Sequence, residues 1–417
     1  MLLLYMISSK SIIINRLSFI KQENIDIDVK ISENFPSNFI NDKYKRILNN
    51  IKNKVCNFEN WYIYRKLFTT TLFLNYYHNK KNIGIFNKNV LSRSFFKMIE
   101  IHTDYNILKT TNPKIKIAFI AEAPGGFIEA CYKIRKNCSD DEYYGISLID
   151  NKTNNIPTWY NIKKKMNNKI NLSLLNGYDN SGDIYKLINI FNFVNKIGKN
   201  SCDVVTADGG FDFTKDFVHQ EYNFTRLFLC EIVIALNLQK KGGNFVIKCF
   251  DLTSLLNIKI FYILCHLYEK TIITKLKTSR KTNSERYIIF KNMQEYLDED
   301  VMKKLYNIIL KWDDYIEQNM KINDIFTFDI NKIFIKKLDL YNSWFFEKQL
   351  DNYNYIVNIN NNLSNSLIMD IIKQIIYDNI ESCISFCKLN HIFIDYKSYF
   401  INTDINEIIN THFMLTV

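Results

Sequence analysis

Between residues 91 and 293 short apolar runs alternate with helix-length amphipathic segments, and few folds accommodate that pattern. The runs are KIAFIA (116–121), YYGISL (143–148), INLSLL (170–175), DVVTAD (203–208), NFVIKCF (244–250), IITKL (272–276) and RYIIF (286–290). Among the segments between them are FIEACYKIRKN, DIYKLINIFNFV, FTRLFLCEIVIALNLQKK and LLNIKIFYILCHLYEK. Parallel strands need long crossovers, and helices supply them. The pattern predicts an α/β fold with a mostly parallel, doubly wound sheet of seven strands and helices on both faces. Such a sheet binds ligands beyond the C-terminal ends of its strands.

The flanks have a different texture. Residues 1–90 read as a mostly helical extension with aromatic clusters at Trp61, Tyr62 and Tyr64. Its start, MLLLYMISSKSIIINRLSFIK, is apolar and acid-free. The apolar run is brief and no small-residue cleavage site follows, so a buried first element is expected rather than a signal or transit sequence. Residues 294–417 read as an acidic helical region, with a loop expected at Asn360, Asn361 and Asn362. The order predicts three parts: 1–90, 91–293 and 294–417.

Hydrophobic residues make up 47% of the chain and aromatics 15%, which excludes a disordered chain. No run approaches the ~18–20 apolar residues of a membrane span. The nine cysteines are irregularly spaced without a CxxC, which points to reduced thiols and an intracellular protein, in the cytoplasm or the nucleus. Cys383, Cys387 and His391 share a helical spacing but lack a fourth ligand, so no metal site is read. The net charge of +11 is unevenly spread: residues 1–294 hold 43 Lys+Arg and 25 Asp+Glu, residues 295–417 hold 11 and 18. The basic part suits a polyanionic partner. Lysine and asparagine abundance from A/T-rich coding is the competing explanation.

The first strand ends in Ala121-Glu122-Ala123-Pro124-Gly125-Gly126-Phe127, followed by a helix. Glycines let backbone approach a ligand, and a helix start offers free N–H groups. The loop is neither GxGxxG nor GxxxxGK[ST]. It resembles the APGGF/W loop that binds S-adenosylmethionine in FtsJ/RrmJ-type ribose 2′-O-methyltransferases. The Glu-Ala-Pro-Gly form resembles the Adrift branch, which includes cap methyltransferase 2 and relatives in large DNA viruses. The resemblance spans roughly residues 91–293 as an ordered series. SRSFFKMIEI (92–101), GISL (145–148), YDNSGDI (178–184), TADGGFDF (206–213) with Gln220-Glu221, GGNFVIKCF (242–250) and TSRKTNSERYIIF (278–290) each resemble the family's segment at that place. Phe119 and Ser147 stand where other members carry acids.

The resemblance implies a Lys-Asp-Lys-Glu tetrad at Lys97, Asp208, Lys248 and Glu285. It implies S-adenosylmethionine contacts from Glu122, Ala123, Pro124, Gly125, Gly126, Phe127, Ser147, Leu148, Asp183 and Asp208. Independently of it, Lys248 and Asp208 each end an apolar run, where a charge is costly unless it serves a site. A ribose 2′-hydroxyl is a poor nucleophile, so the enzyme must align it with the methyl donor and steer one proton. Lys248 can do so only while its amine is neutral, which a neighbouring cation such as Lys97 would favour. Asp208 and Glu285 would hold the ammonium groups. Lys277, Arg280 and Asn283 are candidates for RNA contacts, beside the further cations Lys275 and Lys281.

The expected function is 2′-O-methylation near the 5′ cap of messenger RNA, with RNA as partner, no membrane, and proteins of the capping or transcription machinery as further partners. A viral source would place it in a viral factory or virion. An internal ribose of ribosomal or transfer RNA, and a catalytically inactive RNA-binding scaffold, are the alternatives.

Overall fold

The computed structural model describes residues 11–17, 25–109, 113–135, 140–149, 156–166, 169–211, 216–362 and 366–413. All seven expected strands form, and an eighth joins them. In chain order the sheet holds β1 Ser11–Asn15, β2 Lys116–Ile120, β3 Glu142–Ile146, β4 Asn171–Leu175, β5 Cys202–Ala207, β6 Gln239–Cys249, β7 Tyr268–Thr274 and β8 Arg286–Met293. Their spatial order is β1-β7-β8-β6-β5-β2-β3-β4. Strands β4, β3, β2, β5 and β6 are parallel. β8 inserts antiparallel between β6 and β7, and β1 closes the edge antiparallel to β7.

The central strands are apolar throughout because helices cover both faces. Ile117, Ala118, Phe119, Ile120, Val204, Val205 and Ile247 are fully buried. Helices Gly126–Ile134, Tyr160–Met166, Leu187–Ile197, Gln220–Leu238 and Leu255–Leu267 make the crossovers from β2 to β7 in turn. From β2 the chain winds to β3 and β4, then returns to β5 on the other side of β2. The winding direction therefore switches between β2 and β5, whose ends lie side by side at Ile120 and Ala207. A crevice opens at such a switch point.

Four expectations change. The sheet has eight strands, because the buried first element is the edge strand β1, with Ile12 and Ile14 in the core; residues 1–10 lie outside the described part. β6 starts at Gln239, five residues early, since Gln239 pairs with Cys202 ahead of a register shift. Ile27–Ser32 and Lys321–Phe326, read as helical surroundings, pair as antiparallel strands. Asn360 and Asn361 end helix Lys332–Asn361 instead of forming a loop, because buried Tyr353, Ile356 and Ile359 carry the helix that far.

Two compact units emerge, each built from three stretches of chain. The first comprises Met1–Asp42, Tyr105–Lys275 and Glu285–Asn342 and contains the sheet. The second comprises Lys43–Asp104, Leu276–Ser284 and Ser343–Val417. Its core is aromatic: Phe86, Phe95 and Phe96 pack edge to face or stacked, and Phe73 lies against Phe400 and Phe413. No helix among the described residues is long and apolar enough to cross a membrane.

Candidate active site

The loop after β2 enters the crevice through a left-handed residue, Ala121 (φ 54°), whose N–H donates to Ile146 O of β3. Glu122 follows, 4% exposed. One of its oxygens accepts from the Thr206 hydroxyl of β5, and Oε2 has no hydrogen-bond partner. Burial pushes this carboxyl well above the usual carboxylate range, with nearby Asp208 and Glu231 adding to the effect and Thr206 and Lys248 opposing it. Gly125 has φ 105°, and a Cβ there would meet Ile162 of helix Tyr160–Met166 at 3.0 Å. Glycine is thus required by backbone geometry and by the packing helix, not only by the approach of a ligand. Phe127 is buried with its ring 6.2 Å from that of Tyr287, so its side chain serves packing. Ala123 and Pro124 are half-buried.

A second loop lies over the end of β3. Gly182 (φ 65°) comes so close to the Ser147 carbonyl that a Cβ would overlap it. Ile149 N–H donates to Ser181 O at 2.8 Å. Asn189 holds this loop from below, donating to Asp179 Oδ1 and Asp183 O. The loop that carries Asp183 thus lies against the end of β3 at Ser147, through Gly182 and Ser181. Ser147 is buried and Leu148 is 40% exposed.

Asp208 follows β5 and Lys248 lies near the end of β6. Lys248 Nζ donates to Asp208 O at 2.7 Å and pairs with Asp208 Oδ1 at 3.2 Å. Lys248 is 8% exposed, so this pair works in a low-dielectric surrounding. Tyr287, directly opposite Lys248 on β8, donates its hydroxyl to Asp208 Oδ1 at 2.6 Å. Burial first, and then the Asp208 charge, raise the Tyr287 phenol, which keeps it a donor. Glu285 immediately precedes β8, whose Arg286 pairs with Cys249. Its carbonyl accepts from Lys275 Nζ at 2.9 Å.

Lys97 lies half-buried on helix Ser94–Tyr105 of the second unit. The same unit carries Lys277, Arg280 and Asn283. There the helix and the loop are tied by buried Glu100, which accepts from Lys277 N, Thr278 N and the Thr278 hydroxyl. Lys277 and Arg280 remain exposed. Of the TADGGFDF segment, residues 212–213 lie outside the described part. Sequence reading passed over Thr206, Tyr287 and Glu231. The last had a signal: an acid within the apolar run Leu227–Leu236 of helix Gln220–Leu238.

The groups present suit S-adenosylmethionine. Glu122 offers an unsatisfied buried oxygen, the glycine loop opens a helix start, and a second loop with Asp183 faces the end of β3. No group of His, Cys, Asp and Glu suited to a metal occurs among the described residues.

A five-stranded parallel core, an antiparallel strand inserted beside β6 and a glycine loop at the switch point define a Rossmann-like methyltransferase fold. Residues 90–293 match the FtsJ-like methyltransferase family, so the chain carries an FtsJ-like methyltransferase domain. It is similar to the cap-specific mRNA (nucleoside-2′-O-)-methyltransferase 1 of Mus musculus, 35% identical over 139 residues, which are 32% of this chain and 16% of that protein. The protein of that name from Leishmania braziliensis is 31% identical over 185 residues, 44% of this chain and 45% of its own length. The cap-specific mRNA (nucleoside-2′-O-)-methyltransferase of Autographa californica nuclear polyhedrosis virus is 29% identical over 227 residues, 52% of this chain and 82% of that one. The match spans less than half of the first two relatives. Both carry the type 1 name rather than that of the type 2 branch the loop resembles.

Proposed function

We propose that this chain transfers a methyl group from S-adenosylmethionine to a ribose 2′-hydroxyl near the 5′ cap of messenger RNA. The observation that carries the reading is the buried Lys248 amine held on Asp208 beside the switch-point crevice. S-Adenosylmethionine supplies an electrophilic methyl on a sulfonium. Glu122, the loop through Phe127, Ser147, Leu148 and Asp183 would hold it.

Lys248, in its neutral form, takes the proton of the attacking hydroxyl at Nζ. Asp208 fixes that nitrogen through two oxygens, and Tyr287 fixes Asp208. A base so placed contributes roughly 10²–10⁴ in rate. Glu285 and Lys97 would take the roles that the resemblance implies. Lys277, Arg280 and Asn283 would grip the RNA, with Glu100 setting their loop. The names of the relatives favour the cap over internal sites.

The test is transfer of labelled methyl to short RNAs, capped and uncapped, followed by mapping of the modified nucleotide. A 2′-O-methyl beside the cap, absent from uncapped RNA, supports the reading. Equal labelling of uncapped or internal sites would replace the cap with another RNA, and no labelling of any RNA would leave a binding role.

A further inference from the structure

Helix Gln220–Leu238 runs against the Asp208 turn, and Glu231 at its middle is fully buried between Cys230 and Ile232. An ionisable group there costs several kcal/mol, on the order of a buried polar group without compensation, unless it is bonded. Its Oε1 accepts from Gly209 N–H at 3.1 Å, while Oε2 has no hydrogen-bond partner. Asp208 and Lys248 of the site act on it electrostatically, and it in turn acts on Glu122, Tyr185 and Cys230.

We propose that Glu231 is a positioning residue that holds the Asp208–Gly210 turn at the separation from Lys248 Nζ that methyl transfer uses. The role rests on the function proposed above. The turn is clamped from two sides. A Cβ on Gly209 would fall on Glu231 Oε1 and come within 2.9 Å of Leu227 and 3.1 Å of Ala121. A Cβ on Gly210 would come within 2.9 Å of Lys248 Nζ. A side chain at Gly209 would collide with the acid, and one at Gly210 would displace the amine. Asp208 bonds the amine through both its carbonyl and its carboxylate, so a small shift of the turn alters both contacts.

Burial raises the Glu231 carboxyl well above the ordinary range, although Lys248 and the Gly209 N–H oppose it. Its Oε1 accepts from the Gly209 N–H, a contact that an uncharged carbonyl oxygen at the same place would also make. What the turn needs is an acceptor of that reach, and charge is dispensable. Glu231→Gln should keep kcat within about threefold, a factor under 1 kcal/mol. Glu231→Asp is one methylene too short and Glu231→Leu has no acceptor. Both should lower kcat about tenfold or more, with S-adenosylmethionine Kd and RNA KM nearly unchanged.

Thermal melts establish that each variant folds, and Glu231→Asp serves if Glu231→Leu does not. A merely structural residue would lower kcat only in step with the fraction of folded protein, and Glu231→Gln would not stand apart from Glu231→Asp. An active wild type with Glu231→Asp and Glu231→Leu unchanged in kcat overturns this role alone. So does Glu231→Gln falling as far as Glu231→Asp, which would make the charge the requirement. A wild type that methylates no RNA overturns the proposed function and this role with it.

Discussion

At the residue scale the candidate site centres on three side chains that meet at Asp208. Lys248, Asp208 and Tyr287 come from β6, the end of β5 and β8, and their contacts of 2.6–3.2 Å leave little slack. Lys248→Ala should lower kcat by roughly 10²-fold or more, the range of a lost general base, with calorimetric S-adenosylmethionine affinity nearly unchanged. Near-normal turnover on saturating RNA would remove Lys248 from the chemistry. Gly210→Ala probes the same nitrogen without touching its charge. The added carbon meets the far end of a flexible side chain, so the fold should tolerate it. The amine must move, however, and kcat should fall about tenfold, the effect of a misplaced reacting group being large. Equal melting temperatures with unequal kcat would be the signature. These pairings were half legible beforehand. Charges at the ends of apolar strands announced Lys248 and Asp208, while Glu231 and Tyr287 acquire meaning only from what they touch.

At the element scale, helix Ile405–His412 of the second unit ends in an aromatic cluster. The His412 ring lies 5.0 Å from His78, 5.1 Å from Tyr76, 5.5 Å from Tyr399 and 5.7 Å from Phe400. Burial, then the charges of His78 and Lys66, lower its pKa to about 4. The unfolded chain has the ordinary value of about 6.5 and so binds more protons between these limits. Stability therefore falls as pH drops from about 6.5 towards 4, by linkage. His412→Phe should flatten that stretch of the melting temperature against pH curve. An unchanged slope in the variant would place the acid sensitivity elsewhere. Another long-range tie sets helix Leu255–Leu267: Glu221 accepts from Thr253 N–H, Ser254 N–H and the Ser254 hydroxyl, and Ser254 is the N-cap of that helix.

For the whole molecule, charge follows the folded units differently from chain order. Within the second unit, Lys43–Asp104 and Leu276–Ser284 hold 15 Lys+Arg against 3 Asp+Glu, whereas Ser343–Val417 holds 4 against 8. RNA binding is predicted to follow the basic stretches. Reversing Lys277 and Arg280 to Glu should weaken RNA binding and flatten its dependence on salt, since fewer counterions are released. Asp298 caps helix Glu299–Glu317 and is unsuited to a control, because losing a cap costs about 1 kcal/mol. Reversing Glu299 and Asp300 to Lys avoids that cost and should leave RNA affinity undiminished. Titrations over a salt series distinguish the two sets. Weakening by the second and not the first would move the RNA away from Lys277 and Arg280.

The amino-acid sequence by itself determined the alternation of strand and helix, the glycine loop after β2 and the acid and lysine at the ends of β5 and β6. Each of these is written in periodicity or in neighbours along the chain. Tertiary structure alone decided that Ser11–Asn15 pairs with β7, that Gly125 yields to Ile162, that Glu231 reaches Gly209 and that Lys277 and Arg280 share a unit with Lys97. These are contacts between distant parts of the chain, and local pattern carries no record of which distant surfaces meet. Once the sheet order fixes the ends of β2, β5 and β6 together, packing density leaves one place for each side chain.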